Sequence, residues 1–180
     1  MANNSRSIYS GRALRLNEET AVYPDGRQGT LEIIRHPGGA AVLALDEDSR
    51  VCLIRHYRHA AGGWLWEIPA GRLEPSEPPL ATARRELAEE AGLEAGEWRS
   101  LGSLLPSPGI CDEQIHLFLA RQFTPVPLAH EADEYIEIHW LPFAEAVKWA
   151  VAGKITDAKT LVALLRAQCS SEVNPHTDEQ

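Results

Sequence analysis

Glu86, Glu89 and Glu90 fall within a single helical turn of the segment Pro78–Ala91. At helical spacing Glu86 and Glu90 share one face, and Glu89 lies close to it. Like charges so placed cost roughly 0.2–0.5 kcal/mol per pair on an isolated helix. Arg85 is an i,i+4 partner for Glu89, but one arginine cannot satisfy three carboxylates. On an arbitrary helix a solvated charged face would explain such a cluster. Here Gly71 and Glu77 precede it and Gly92 follows, a setting in which a hard divalent cation turns repulsion into coordination. Mg2+ suits such a site, because it takes a few carboxylates and completes its shell with water and substrate phosphate.

The elements that must position these residues follow from the apolar pattern. Leu31–Arg35, Ala40–Leu45 and Val51–Tyr57 read as consecutive strands separated by turn residues. Val51 to Ile54 is apolar on both faces, which predicts a central, doubly buried strand. Trp64–Ile68, Trp98–Leu105, Ile115–Gln122 and Ile136–Trp140 read as further strands. Leu80, Ala83, Leu87 and Ala91 recur at intervals of three and four, so Pro78–Ala91 is an amphipathic helix stopped by Gly92. Two helices close the chain: Phe143–Val151, and one capped by Thr156 with Leu161, Leu164 and Leu165 inward. The order predicts an α/β fold, a mixed sheet covered by helices on its faces. Residues 1–29 are polar with short strand-like pieces and read as a small N-terminal β extension. Residues 30–168 form the main domain, and 169–180 a polar tail.

Composition sets outer limits. The chain has 180 residues, 44% hydrophobic and 24% charged, which suits one globular domain. Its formal charge of −9 argues against nucleic acid as a partner. A polyphosphate would need local arginines or metal to invert that field. Cys52, Cys111 and Cys169 are widely spaced and form no CxxC pair, which supports neither a zinc ribbon nor a disulfide framework. No apolar run is long enough for a signal peptide or a membrane span, so a cytoplasmic location with no membrane partner is expected.

The residues around the glutamates carry a family resemblance. Gly71, five residues, Glu77, seven residues, then Arg85-Glu86-Leu87-Ala88-Glu89-Glu90-Ala91-Gly92-Leu93 match the Nudix box, G-x5-E-x7-R-E-U-x-E-E-x-G-U with U aliphatic, at every defined position. Further likeness runs over about residues 30–168, through Arg55-His56-Tyr57-Arg58, Trp66-Glu67-Ile68-Pro69-Ala70-Gly71, Ser107-Pro108-Gly109 and Thr156-Asp157-Ala158-Lys159-Thr160. Together these resemble the ADP-ribose pyrophosphatase branch of the Nudix hydrolases, for which Pro108, fifteen positions past Leu93, is the marker.

That resemblance implies an α/β/α sandwich and Mg2+-dependent hydrolysis of ADP-ribose to AMP and ribose 5-phosphate, with Mn2+ as a substitute. It makes Glu86 and Glu90 the principal metal ligands, Glu89 a supporting one, and the Ala70 carbonyl a further one. Glu77 with Arg85 would fix the loop onto the helix. Arg58 matches the arginine of the family's Q-Y/F-R signature, although His56 stands where glutamine is usual. Arg35 is a second candidate for the pyrophosphate. The branch commonly uses a small N-terminal sheet to complete a homodimer. The base that activates water should come from outside the box, whose carboxylates are committed to metal. Pro108–Glu113 offers Asp112 and Glu113; His130–Glu137 offers Glu131, Asp133, Glu134 and Glu137. Glu134 is the better candidate, since Asp133-Glu134-Tyr135-Ile136-Glu137 resembles the stretch whose first glutamate is the base in several members. Glu113 is the second choice.

Other groups point to less. His56 and His59 lack an HExxH pattern and read as structural or surface residues. Ser103 and Ser107 have no G-x-S-x-G elbow, and no base can be assigned to Cys111. Tyr23 or Trp64 could stack on adenine. Two other functions compete: hydrolysis of a different nucleoside diphosphate sugar, and a non-catalytic nucleotide-sugar sensor. The complete set Glu86, Glu89 and Glu90 argues against the sensor.

Overall fold

The computed structural model describes residues 5–12, 14–130 and 134–170. The elements run β1 (Ser5–Ser10), β2 (Arg15–Val22), β3 (Gln28–Arg35), β4 (Gly39–Ala44), β5 (Arg50–Arg58), β6 (Gly63–Glu67), β7 (Ala70–Arg72), α1 (Pro79–Ala91), β8 (Leu93–Leu104), β9 (Ile115–Pro125), β10 (Ile136–Pro142), α2 (Phe143–Val151) and α3 (Ala158–Gln168). The strands divide among three sheets. The mixed sheet has the order β7-β4-β9-β8, with β4 and β9 parallel. An antiparallel sheet, β10-β5-β6, packs beside it, and β1-β2-β3 forms a third.

Strand β4 shows why the helices lie on both sides. Every residue in it is buried, and its side chains alternate between faces. Ala40, Val42 and Ala44 join Ala83, Leu87 and Ala91 of α1 in one cluster. Ala41 and Leu43 join Ala146 of α2 and Ala163 and Leu164 of α3 in the other. This is the expected α/β/α sandwich. Val51, Cys52, Leu53 and Ile54 are fully buried as the apolar run predicts.

Several boundaries differ from the sequence reading. Leu31–Arg35 belongs to β3, the third strand of the N-terminal sheet, so that sheet extends to Arg35. Strand β8 begins at Leu93, five residues before Trp98, because its first half pairs with β9 while keeping polar residues outward. The α3 cap is Asp157 and not Thr156: the Asp157 carboxylate accepts the Thr160 amide at 3.0 Å. The inward stripe of α3 is Thr160, Ala163, Leu164 and Ala167, and Leu165 is exposed. No helix among the described residues is long and apolar enough to cross a membrane.

The N-terminal sheet is fastened at one corner. The Ile34 amide donates to the Ile110 carbonyl at 2.8 Å, and the Asp112 amide to the Ile34 carbonyl at 3.1 Å. Arg35 then bridges Glu19 of β2 and Asp112 of the proline loop.

Candidate active site

Helix α1 presents the glutamates by entering directly from β7 through a short loop. Pro79 occupies the first helical turn, where its missing amide hydrogen costs nothing. Gly92 ends the helix in the left-handed region at φ 66° and donates to the Ala88 carbonyl. A Cβ at Gly71 would stand 1.8 Å from Glu86 Oε1, so any side chain there would displace that carboxylate.

Arg85 is the hub of the loop–helix unit. It donates from Nε to Glu77 Oε1 at 3.2 Å and from Nη2 to the Arg72 carbonyl at 3.1 Å. Its Nη1 reaches Glu86 Oε1 at 2.6 Å and Glu89 Oε2 at 3.0 Å. Glu77 also accepts from Thr82 Oγ1 and the Glu74 amide. Together with Arg85, the first of these influences, they hold its carboxyl down at about 2. Glu90, 1% exposed, accepts the Ala70 amide on Oε2 at 2.8 Å.

Burial pushes the Glu86 carboxyl up to about 7 and the Glu90 carboxyl to about 8, and the charge of Glu134 adds to both shifts. In an unfolded chain these groups titrate near 4.5. Between those values the native state binds more protons than the unfolded state, so metal-free stability falls as pH rises through that window. A bound cation displaces these protons. Thermal stabilisation by Mg2+ is therefore expected to be larger at pH 8 than at pH 6. An equal shift of Tm at both would contradict the assignment of Glu86 and Glu90 as ligands.

The glutamates form one wall of a cavity of about 1100 Å³. Glu86, Glu89, Glu90, Glu134 and Ala70 line it, as do Arg35, Arg58 and Arg85. Eight of the ten sequence candidates thus meet in one place. Pro108 and Glu113 do not line it. Pro108 is exposed, and Glu113 lies 3.4 Å from His36 Nδ1, because Asp112 is drawn to Arg35 and the His36 amide and carries the loop with it. Glu131 and Asp133 fall outside the described residues. Neither Tyr23 nor Trp64 lines the cavity.

Arg58 is held from behind. Its Nε and Nη2 donate to Glu67 at 2.9 and 2.8 Å. Lys159 Nζ donates to the same carboxylate at 2.6 Å and to Asp157 at 2.9 Å. Burial raises the Glu67 carboxyl, but Arg58 and Lys159 outweigh it and hold the group ionised at about 2. Two cations and two anions are thereby balanced, the condition for burying such charges. Glu67 and Lys159 stand in motifs quoted for the resemblance, so their presence was visible in sequence and their pairing was not. Arg12, Arg15 and Arg72 also line the cavity and were missed, since isolated arginines in polar segments carry no pattern. His56 lines it as well; burial is the main cause that lowers its imidazole to about 4 and keeps it neutral.

Among the described residues no three His, Cys, Asp or Glu side chains converge as a ready-made metal cage. The Arg85 guanidinium donates to one oxygen of Glu86 and one of Glu89. The donor set still fits a hard divalent ion: Glu86 and Glu90 are buried carboxylates with raised protonation, and an arginine fixes the orientation of Glu86 and Glu89.

The NUDIX domain family matches residues 35–164, and the chain belongs to that family of hydrolases. It is 34% identical over 165 residues to the ADP-ribose pyrophosphatase of Mycobacterium tuberculosis (strain ATCC 25618 / H37Rv), covering 90% of this chain and 80% of that one. It is 36% identical over 162 residues to the methanol dehydrogenase activator of Bacillus methanolicus, covering 89% and 88%. A crystal structure of an ADP compounds hydrolase superposes with a TM-score of 0.78 over 92% of this chain and 90% of that chain. At 21% identity that likeness speaks for the fold.

Proposed function

We propose that the protein hydrolyses the pyrophosphate bond of ADP-ribose, adding water to give AMP and ribose 5-phosphate, with Mg2+ as cofactor and Mn2+ as a substitute. The observation that carries this reading is the cavity itself, in which a carboxylate cluster on α1 and the side chains of Arg35, Arg58 and Arg72 line one space. A bound nucleoside diphosphate meets both: metal-ligating oxygen donors and cationic contacts for the phosphates.

Glu86, Glu89, Glu90 and the Ala70 carbonyl would hold the metal, which supplies charge neutralisation and a more acidic water when bound. Arg85 keeps Glu86 and Glu89 in a fixed orientation. Arg58, immobilised by Glu67, and Arg35, immobilised by Glu19 and Asp112, take phosphate oxygens without reorganising. Glu134 accepts the proton from water. The test is a panel of nucleoside diphosphate sugars, dinucleotides and nucleoside triphosphates ranked by kcat/KM in Mg2+. ADP-ribose is expected to lead. A nucleoside diphosphate hexose in first place would move the reading to the other sugars, and tight ADP-ribose binding with no AMP formed would make the chain a sensor.

The same reading includes a homodimer. In one copy of the chain β1 has no buried residue, and Ile8, Tyr9, Val22, Tyr23 and Leu31 are exposed on the N-terminal sheet. A second copy would cover them. Light scattering at micromolar concentration is expected to give twice the chain mass; a fully active monomer would refute it.

A further inference from the structure

We propose that His56 supplies a nitrogen donor to the ion held by Glu90, so that this site favours first-row transition ions over Mg2+ more than a site of oxygen donors alone would. The inference rests on the reading of Glu86, Glu89 and Glu90 as a metal site.

Alternate residues of β5 turn toward α1: Cys52 packs in the cluster with Ala83 and Leu87, and Arg58 lines the cavity. His56 lies between them in that same register, where core gives way to cavity. It is 4% exposed, and it faces Glu90. Its Nδ1 is buried with no hydrogen-bond partner among the described residues. The nearest acceptor, Glu90 Oε1, is 3.8 Å away, too far for a hydrogen bond.

Glu90 Oε2 is occupied by the Ala70 amide, so Oε1 is the oxygen that faces the ring. A buried polar atom left without a partner is costly, and native structures rarely keep one without a ligand or water to answer it. A cation between Oε1 and Nδ1 displaces any proton held there and satisfies both atoms at once. Imidazole suits best the first-row ions that follow Mn2+; Mn2+ stands at the bottom of that series and still accepts a nitrogen more readily than Mg2+, which selects oxygen.

The experiment uses the full chain with Mn2+ alone. Electron spin-echo modulation is expected to show a directly bound nitrogen in the wild type, lost in His56→Gln and kept in His36→Gln and His130→Gln. Competition titration is expected to show the Mn2+ preference over Mg2+ falling about tenfold in His56→Gln, the low end of what residues around a metal contribute to its affinity. Bound Mn2+ without nitrogen modulation, or an unchanged preference, would overturn the proposal and leave the carboxylate site standing. If no Mn2+ binds the wild type, both readings fall. Should His56→Gln not fold, His56→Asn takes its place, and a nitrogen signal that persists in it overturns the proposal.

Discussion

Glu90→Gln is expected to keep the fold and lose nearly all turnover, with kcat at fixed Mg2+ down about 10³-fold. The figure follows from the several kcal/mol that a correctly held metal contributes to the transition state, at 1.36 kcal/mol for each factor of ten. Glutamine is isosteric and still offers an oxygen to the Ala70 amide, so the packing around this buried side chain survives. With its carboxyl pushed up to about 8, metal-free Glu90 is largely neutral in the native state at pH 7 but ionised in the unfolded chain, where it titrates near 4.5. The amide should therefore leave metal-free stability nearly unchanged below that lower value and raise it progressively as pH climbs from there to about 8. Glu86→Gln should behave alike, although it also weakens one contact of Arg85. Measuring kcat against Mg2+ concentration, beside metal-free melting curves, separates a lost ligand from a lost fold. Near-normal kcat with normal metal dependence would remove the residue from the ligand set.

The second large effect concerns the base. Glu134 lines the cavity just ahead of β10, and its charge is felt by both Glu86 and Glu90. The segment is pinned where the Tyr57 amide donates to the Tyr135 carbonyl at 3.1 Å. A positioned base contributes about 10²–10⁴-fold, so Glu134→Gln should lower kcat by that factor while leaving Mg2+ and substrate affinity nearly intact. Glu113→Gln is the comparison, with its carboxylate beside His36 and outside the cavity. If Glu113→Gln is the impaired variant and Glu134→Gln is not, the base sits in the proline loop.

What could be read from sequence was local. The glutamates, Gly71, Glu77 and Arg85 stand within 20 residues of one another, so spacing alone brings them onto one loop and one helix. Helix α2 was legible to the residue because nothing competes with its apolar stripe. Contacts between distant segments were not legible. Glu67 and Lys159 are 92 positions apart, and Arg35 and Asp112 are 77 apart. Nothing in either residue's neighbourhood names its partner. The α3 cap failed for a finer reason: Thr156 and Asp157 are both good caps, and only the backbone decides which one reaches the Thr160 amide.

The corner at Ile34–Asp112 joins two units that carry different parts of the same cavity. Arg12 and Arg15 reach it from the N-terminal sheet, while every glutamate that lines it belongs to the body. The two walls share no strand, and each can vary without disturbing the hydrogen-bond ladders of the other. Substitutions in the β1–β2 hairpin can therefore accumulate and alter which anion is gripped, while the catalytic body stays constant. The chain thus pairs a separable selector with a catalytic body, and exchange of N-terminal segments between relatives offers a short route to new substrates.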